Sequence, residues 1–395
     1  MTELATSDRF IFLIAGEPSG DVLGAKLMRA LKAATGGRIR FAGVGGERMA
    51  AEGLTSLFPL QDIAVMGLAE VLPQLPLIFR RLRDTAQAIE AQRPDAVVTI
   101  DSPGFCFRVA ERVRRLGIPV IHYVAPQLWA WRPKRVKKLA RRIDHMLLLL
   151  PFEPAFFERA GVPCTYVGHP VLEDVDVPAA PDFRQRHAIA ENAPLVLFLP
   201  GSRRGLVRRM LPTFGRVVAI LRARHSDLRV VVPVVAGTRE TVVELTRDWP
   251  VPPVLIQDVA EKRAAFMAAT AAVTVSGTSA MELAVAGLPM VVTYLLNPLS
   301  AWLARRMVKV SHVALPNLVL GRTIAPELLQ EDCTPERIAE EAERLLTDPA
   351  ARAAQKAGFA EACAKLGQDG QPPSARAAAA ILREIERHMA ARPLS

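Results

Sequence analysis

The sequence is poor in the residues that staple a chain or carry it through a membrane. Its four cysteines, Cys106, Cys164, Cys333 and Cys363, include no Cys-x-x-Cys pair. That excludes a disulfide framework or a structural zinc site as the organising device, and free thiols fit a reducing cytosol. The longest apolar runs, such as Met146 to Leu150, fall well short of the ~20 residues a spanning helix needs. The run Phe10 to Ala15 is too short for a signal-peptide core, and Arg9 is the only basic residue before it. Any membrane contact is therefore expected to be peripheral. Aromatic residues are only 6% of the chain, while Ala, Leu, Val and Arg are plentiful. That mix suits helices on parallel strands better than a β-sandwich. Two nucleotide fingerprints are missing as well. Gly43-Val44-Gly45-Gly46-Glu47-Arg48 has Arg48 where a dinucleotide loop has its third glycine, and no P-loop run occurs.

What is present is length, apolar content and positive charge. A chain of 395 residues that is 50% hydrophobic can build two or three cored domains. Lys and Arg number 50 against 40 Asp and Glu, a net charge of +10 at pH 7. Such an excess attracts phosphates, whether of nucleic acid, a nucleotide-sugar or an anionic lipid. It is spread along the chain, with local runs at Arg132 to Arg135, Lys137-Lys138 and Arg141-Arg142. A solvated helix face explains each run as well as a binding patch does.

The same grammar of apolar strand, turn and helix recurs. Phe10 to Ala15, Arg38 to Val44, Ala96 to Ile100, Val120 to Val124 and Met146 to Leu150 read as strands. They are apolar on both faces, as parallel strands under helices should be. Leu23, Leu27 and Leu31 give the first helix one apolar face. A second array follows, with strands at Leu195 to Leu199, Arg229 to Val235, Ala271 to Val275 and Leu288 to Tyr294, and a helical stretch from about Thr334. The expected fold class is α/β: two facing Rossmann-like domains with parallel sheets and an interdomain cleft at the strands' carboxyl ends.

Four loops carry the chemistry. Ser276-Gly277-Thr278-Ser279 follows a strand and opens a helix, with Glu282 a turn further on. Free N–H groups there suit a diphosphate and a carboxylate suits ribose hydroxyls; ordinary N-capping explains the pattern equally. Gly201-Ser202-Arg203 ends another strand, and the Arg203 fork suits phosphate oxygens. Asp101 closes a strand and is a candidate general base. Glu17 and Asp21, around Ser19-Gly20, compete for that role, and pattern alone does not rank the three. His122 through Trp129, Trp131 and Arg132 offers rings on which bases or sugars stack, or simply core. The segment Val65, Met66, Leu68, Val71, Leu72, Leu75 to Phe79 ends in Arg80-Arg81. It fits a surface dipping into an anionic bilayer, or a buried helix pair with a charged end.

The ordered set of motifs resembles the lipid-A-disaccharide synthase family from about Phe12 to Glu331. It includes Ala15 to Asp21, Ala64 to Gly67 with Glu70 to Leu72, Ile100 to Pro103, His122 to Val124 through Trp129 to Arg132, Leu150 to Glu153, Val167 to His169, Leu199 to Arg203, Ser276 to Thr278, Pro289 to Val292 and Leu315 to Leu318. The resemblance implies an inverting, metal-independent GT-B glycosyltransferase without a cofactor. Its donor would be UDP-2,3-diacylglucosamine, its acceptor 2,3-diacylglucosamine 1-phosphate (lipid X), and its products a β-1,6 disaccharide and UDP. Asp101 would be the base; Arg203, Ser276 to Ser279, Glu282, Asn317, Gln330 and Glu331 would hold UDP. Such enzymes work in the cytoplasm at the inner face of the membrane.

The implied divisions are an acceptor domain at 1–172, a linker at 173–194, a UDP-sugar domain at 195–345, and helices at 346–395. Those helices would pack back on the first domain or exchange within a homodimer. Asp174-Val175-Asp176 falls in the linker and is read as solvated charge, not a metal clamp. Two departures stand out. Ser102 to Cys106 reads Ser-Pro-Gly-Phe-Cys where the family usually has Pro-Asp-Phe-Asn, and Leu206 stands where Glu is usual. Rival readings are a peptidoglycan-precursor transferase or UDP-sugar epimerase of the same architecture, and a basic nucleic-acid binder. The last has only the net charge behind it, and no nucleic-acid partner is expected.

Overall fold

A computed structural model describes residues 8–64, 68–131, 133–176, 180–296, 301, 310–367 and 370–391, with the backbone only at 68–72, 131, 134 and 174–176. The chain divides into two compact units, Met1–Pro170 with Gly370–Ser395, and Val171–Asp369.

The first unit is a six-stranded sheet of β1 (Arg9–Ala15), β2 (Ile39–Val44), β3 (Ala96–Ile100), β4 (Val120–Tyr123), β5 (His145–Leu148) and β6 (Cys164–Tyr166). Its order is β2-β1-β3-β4-β5-β6, and every pairing is parallel. The second holds β7 (Leu195–Leu199), β8 (Arg229–Pro233), β9 (Val254–Ile256), β10 (Ala271–Val275), β11 (Met290–Tyr294) and β12 (Glu327–Leu329) in the order β12-β11-β10-β7-β8-β9, again all parallel. All residues of β3, β7 and β10 are buried, which is why these runs lack polar alternation.

Both sheets are doubly wound, and each has a point where the strand order reverses. In the first it lies between β1 and β3, where Ala15 pairs with Ile100, so Gly16 and Asp101 leave the sheet side by side. In the second it lies between β7 and β10, where Leu199 pairs with Thr274 and the Gly201 and Ser276 loops emerge together. Crevices at such points are where open α/β sheets bind ligands. The four singled-out turns therefore fall at two reversals.

Helix Pro18–Ala34 buries Leu27, Met28 and Leu31 against the first sheet; each such side chain is worth roughly 1.5–3 kcal/mol. The last helix, Pro373–Ala390, lies on it, with small Ala377, Ala378 and Ala380 allowing close approach and Ile381 and Ile385 entering the same core. Glu384 on that helix meets His145 at 3.3 Å. Helices Pro335–Thr347 and Pro349–Lys365 stay with the second unit, capped by Thr334 and Asp348 side chains. The stretch expected as a linker is partly anchored there. Phe183 and Ile189 are buried, and Arg184 donates to the carbonyls of Ala190, Ala193 and Ala268.

Candidate functional site

At the first reversal Asp101 and Ser102 both take left-handed backbone conformations, φ 53° and 43°. Each is costly for a side-chain-bearing residue, by about 1–3 kcal/mol, and such strain clusters at active sites. The Asp101 N–H donates to Tyr123 O at 2.9 Å, and its Oδ1 accepts the Ser102 N–H at 2.8 Å. The carboxylate is thereby turned at the strand tip, half-exposed. Gly16 is buried against Ser102, and Gly20 comes close to Ile100 O. Beneath them the fully buried Cys106 thiol is pushed well above its usual range by burial, then by the Asp101 and Glu17 charges, and so stays protonated. Gly104 is exposed, and a Cβ there would meet nothing within 4 Å.

The structure separates the three competing carboxylates. Asp21 is buried and committed: its oxygens accept the N–H groups of Gly46 (2.8 Å), Met49 (3.0 Å) and Arg48 (3.0 Å). It caps helix Glu47–Ala51 and occupies the anion position of the glycine turn before it, so it is a strut and not a base. Glu17 is half-buried at the start of helix Pro18–Ala34, and Ser19 is exposed beside it. Asp101 alone of the three ends a strand.

His122 is fully buried, 2.7 Å from Thr99 Oγ1 and packed at a tilt against the Phe107 ring, and burial lowers its pKa to about 3. It is a neutral core residue. Trp129 donates its indole N–H to Glu153 at 3.1 Å and meets the Phe152 ring edge-on. Glu153 also accepts the N–H groups of Leu149 and Leu150, and burial raises its pKa to about 7. The side chains of Trp131 and Arg132 lie outside the described residues.

Val65 and Met66 lie outside the described residues, as do the side chains of Leu68, Val71 and Leu72. The following segment is one helix, Leu68–Gln92, not a helix pair. On it Leu75 is half-buried, Phe79 is 52% exposed and Arg80 is exposed. Arg81, expected at the lipid surface, is committed to Asp62 at 2.7 Å, to Asp84 at 3.3 Å and to the Phe58 ring.

At the second reversal Gly201 (φ 94°) and Gly277 (φ 147°) turn the chain where only glycine is at ease. Ser202 and Arg203 are exposed; the Arg203 carbonyl accepts the N–H groups of Leu206 and Val207, while its guanidinium has no partner among the described residues. It precedes helix Arg204–Arg224, whose first turn holds no acidic residue. Leu206 packs against Gly201. Helix Thr278–Val285 has no side-chain cap. Its first N–H groups are open to an anion, which sets aside the simple capping reading. Ser276 Oγ instead donates to Val313 O at 2.9 Å.

The remaining expected ligands are partly spoken for. Glu282 pairs with Lys262 at 2.6 Å. Asn317 is fully buried with both amide atoms used: Nδ2 donates to Ala325 O and Glu327, and Oδ1 accepts from Ile324 and Ala325. It shapes the site from behind and does not reach out. Gln330 (φ 51°) accepts the Leu296 N–H at 3.3 Å, and Glu331 is exposed next to it. Glu327, which holds Asn317, was not among the expected residues; a lone Glu in a three-residue strand carries no motif. Among the described residues no three His, Cys, Asp or Glu gather as a metal site. The side chains of Asp174 and Asp176 lie outside them.

Two doubly wound parallel units, with glycine-bearing turns at the carboxyl edges of their sheets, define a chain of the GT-B class. It is similar in fold to the glycosyltransferase of kitacinnamycin, with TM-score 0.63 and 17% identity over 96% of this chain and 100% of that one. It is also similar to a UDP-GlcNAc 2-epimerase from Neisseria meningitidis bound to UDP-GlcNAc, with TM-score 0.61 and 12% identity over 96% and 100%. The family comes from the sequence. The lipid-A-disaccharide synthetase profile matches residues 11–382, and a lipid-A-disaccharide synthase of Rhodospirillum centenum is 53% identical over 384 residues, 96% of each chain. This chain belongs to the lipid-A-disaccharide synthetase family.

Proposed function

We propose that this chain joins UDP-2,3-diacylglucosamine to 2,3-diacylglucosamine 1-phosphate, giving the β-1,6-linked disaccharide 1-phosphate and UDP. The observation that carries the chemistry is the strained Asp101–Ser102 tip, which presents a half-exposed carboxylate oriented by its neighbour's N–H. Asp101 takes the proton of the acceptor 6-hydroxyl as that oxygen bonds to the donor's anomeric carbon. The bond from that carbon to the diphosphate oxygen breaks, and the configuration inverts. Negative charge builds on the departing UDP, where Arg203 and the open amides at the start of helix Thr278–Val285 neutralise it. On this reading no metal is required.

Acylated substrates place the reaction at a membrane surface. No helix among the described residues is long and apolar enough to cross a membrane. We assign the surface contact to the middle of helix Leu68–Gln92, around exposed Phe79 and Arg80. The test is mass-spectrometric detection of the disaccharide from the two acylated substrates, with unacylated UDP-GlcNAc and excess EDTA as separate arms. Product in the first and EDTA arms supports the proposal. No product from the acylated pair, or equal use of the unacylated donor, overturns it.

A further inference from the structure

We propose that Glu327 is a positioning residue for the donor loop, acting through the peptide of Val313 on Ser276. This rests on reading the Ser276 to Ser279 turn as the diphosphate site. Glu327 lies on β12, the edge strand of the second sheet, where it pairs with Val292. Its side chain is only 10% exposed. Oε2 accepts the Val313 N–H at 2.9 Å, and Oε1 accepts the Ala314 N–H at 3.0 Å and Asn317 Nδ2 at 2.8 Å. His312 Nδ1 stands 3.8 Å from Oε1.

Val313 is thus gripped through both of its backbone groups. Its N–H is held by Glu327, while its carbonyl takes the Ser276 hydroxyl at 2.9 Å. Ser276 is fixed from the other side by its own N–H, which donates to Thr293 O at 3.2 Å. Asn317 closes the far side by holding Ile324 and Ala325 with Oδ1, at 2.8 and 3.0 Å, and Ala325 O with Nδ2, at 2.8 Å.

A near-buried carboxylate is a costly way to tie down an edge strand, because desolvation offsets much of what it gains and an apolar residue would pack as well. What it gives that an apolar residue cannot is direction. Three N–H donors converge on one anion and set the register of the 312–317 segment against Ser276. The next residue, Gly277 at φ 147°, has no side chain to hold the turn, and helix Thr278–Val285 has no cap of its own. The amides meant for the diphosphate therefore take their position from this external brace. An error of about 1 Å in such a site costs on the order of a hundredfold in rate.

The experiment is calorimetric titration of the full chain with UDP, for wild type, Arg203→Ala, Glu327→Gln, Ser276→Ala and the last two combined. Glu327→Gln keeps the shape but turns an amide NH2 towards N–H donors. It should weaken UDP binding about tenfold, the size of one lost charge-assisted hydrogen bond. Ser276→Ala should also weaken it, and the double variant should be no worse than Glu327→Gln alone, because both act through Val313. Arg203→Ala should weaken UDP binding as well, since its guanidinium meets the diphosphate directly. Wild-type affinity in Glu327→Gln, or full additivity of the Glu327 and Ser276 losses, overturns the proposal. Failure of Arg203→Ala to weaken UDP binding would instead sink the donor-site reading, whatever Glu327 does. If Glu327→Gln does not fold, amide exchange at Val313 and Ala314 in Ser276→Ala decides: faster exchange than wild type supports the brace, and unchanged exchange overturns it.

Discussion

The backbone of Gly16 rests on the side chain of Ser102. A Cβ built on Gly16 would fall 2.1 Å from Ser102 Cβ and 2.5 Å from its Oγ. The turn after β1 and the turn after β3 are therefore one wedge, and the residue next to Asp101 is its contact point.

Gly16→Ala should act on catalysis through that wedge. The added methyl must displace Ser102, whose N–H orients Asp101. Overpacking of this kind costs about 1–3 kcal/mol, and the carboxylate moves with the elbow. Turnover should fall by about tenfold or more, with UDP affinity unchanged because the donor loops lie in the other unit. A variant with wild-type turnover would show that the elbow's geometry does not matter.

Asp101→Asn separates charge from shape. Asparagine tolerates the left-handed conformation at φ 53° better than other residues, so the elbow should keep its form. Loss of the base should cut turnover by about 10²–10⁴-fold, while melting temperature and UDP binding stay as in the wild type. Turnover near that of the wild type would remove Asp101 from the chemistry and point to Glu17.

How far these sites were legible from the sequence follows from the range of the interactions. β1, β3, β7 and β10 announced themselves because a central parallel strand must be apolar on both faces, and RFIFLIA, AVVTI, LVLFL and AAVTV are. The edge strands Cys164–Tyr166, Val254–Ile256 and Glu327–Leu329 were not anticipated: each has three residues, mostly half-buried, and one neighbour. Asp101 was visible as a carboxylate closing a strand, but its left-handed backbone was not, since Gly16 and Tyr123 impose it from elsewhere in the chain. Asp21 looked equal to Asp101 because its three amide partners lie 25 to 28 residues away. Asn317 carried a motif, yet its partner Glu327 carried none.

Glu153 should leave a pH signature. Its ordinary pKa of 4.5 is raised to about 7, chiefly by burial, so the fold favours the protonated form. That contribution is complete below about pH 4.5 and lost as pH rises through about 7, amounting at most to roughly 3 kcal/mol. Chemical denaturation of wild type and Glu153→Gln across this window checks it. The glutamine variant pays a constant penalty for leaving Trp129 Nε1 without its carboxylate, but its stability should decline less with rising pH. Parallel pH profiles for the two proteins would mean that Glu153 does not titrate there.

Asn317→Asp should be far more damaging than its size suggests. The Nδ2 atom it replaces is 2.8 Å from Glu327 Oε1, so the change sets two carboxylates face to face in a fully buried position. It also removes the donor to Ala325 O. Destroying a buried polar pair in this way costs about 3–5 kcal/mol, and the second unit should lose stability by that order at neutral pH. The penalty is electrostatic, so one of the two groups takes up a proton more readily than usual, and stability should return as pH falls towards the carboxylate range. Asn317→Ala, which loses the same hydrogen bonds without adding charge, should show no such recovery. Thermal melts of both variants at neutral and mildly acidic pH distinguish the cases: an equal acid response in the two would mean that Glu327 and residue 317 do not share one charge balance.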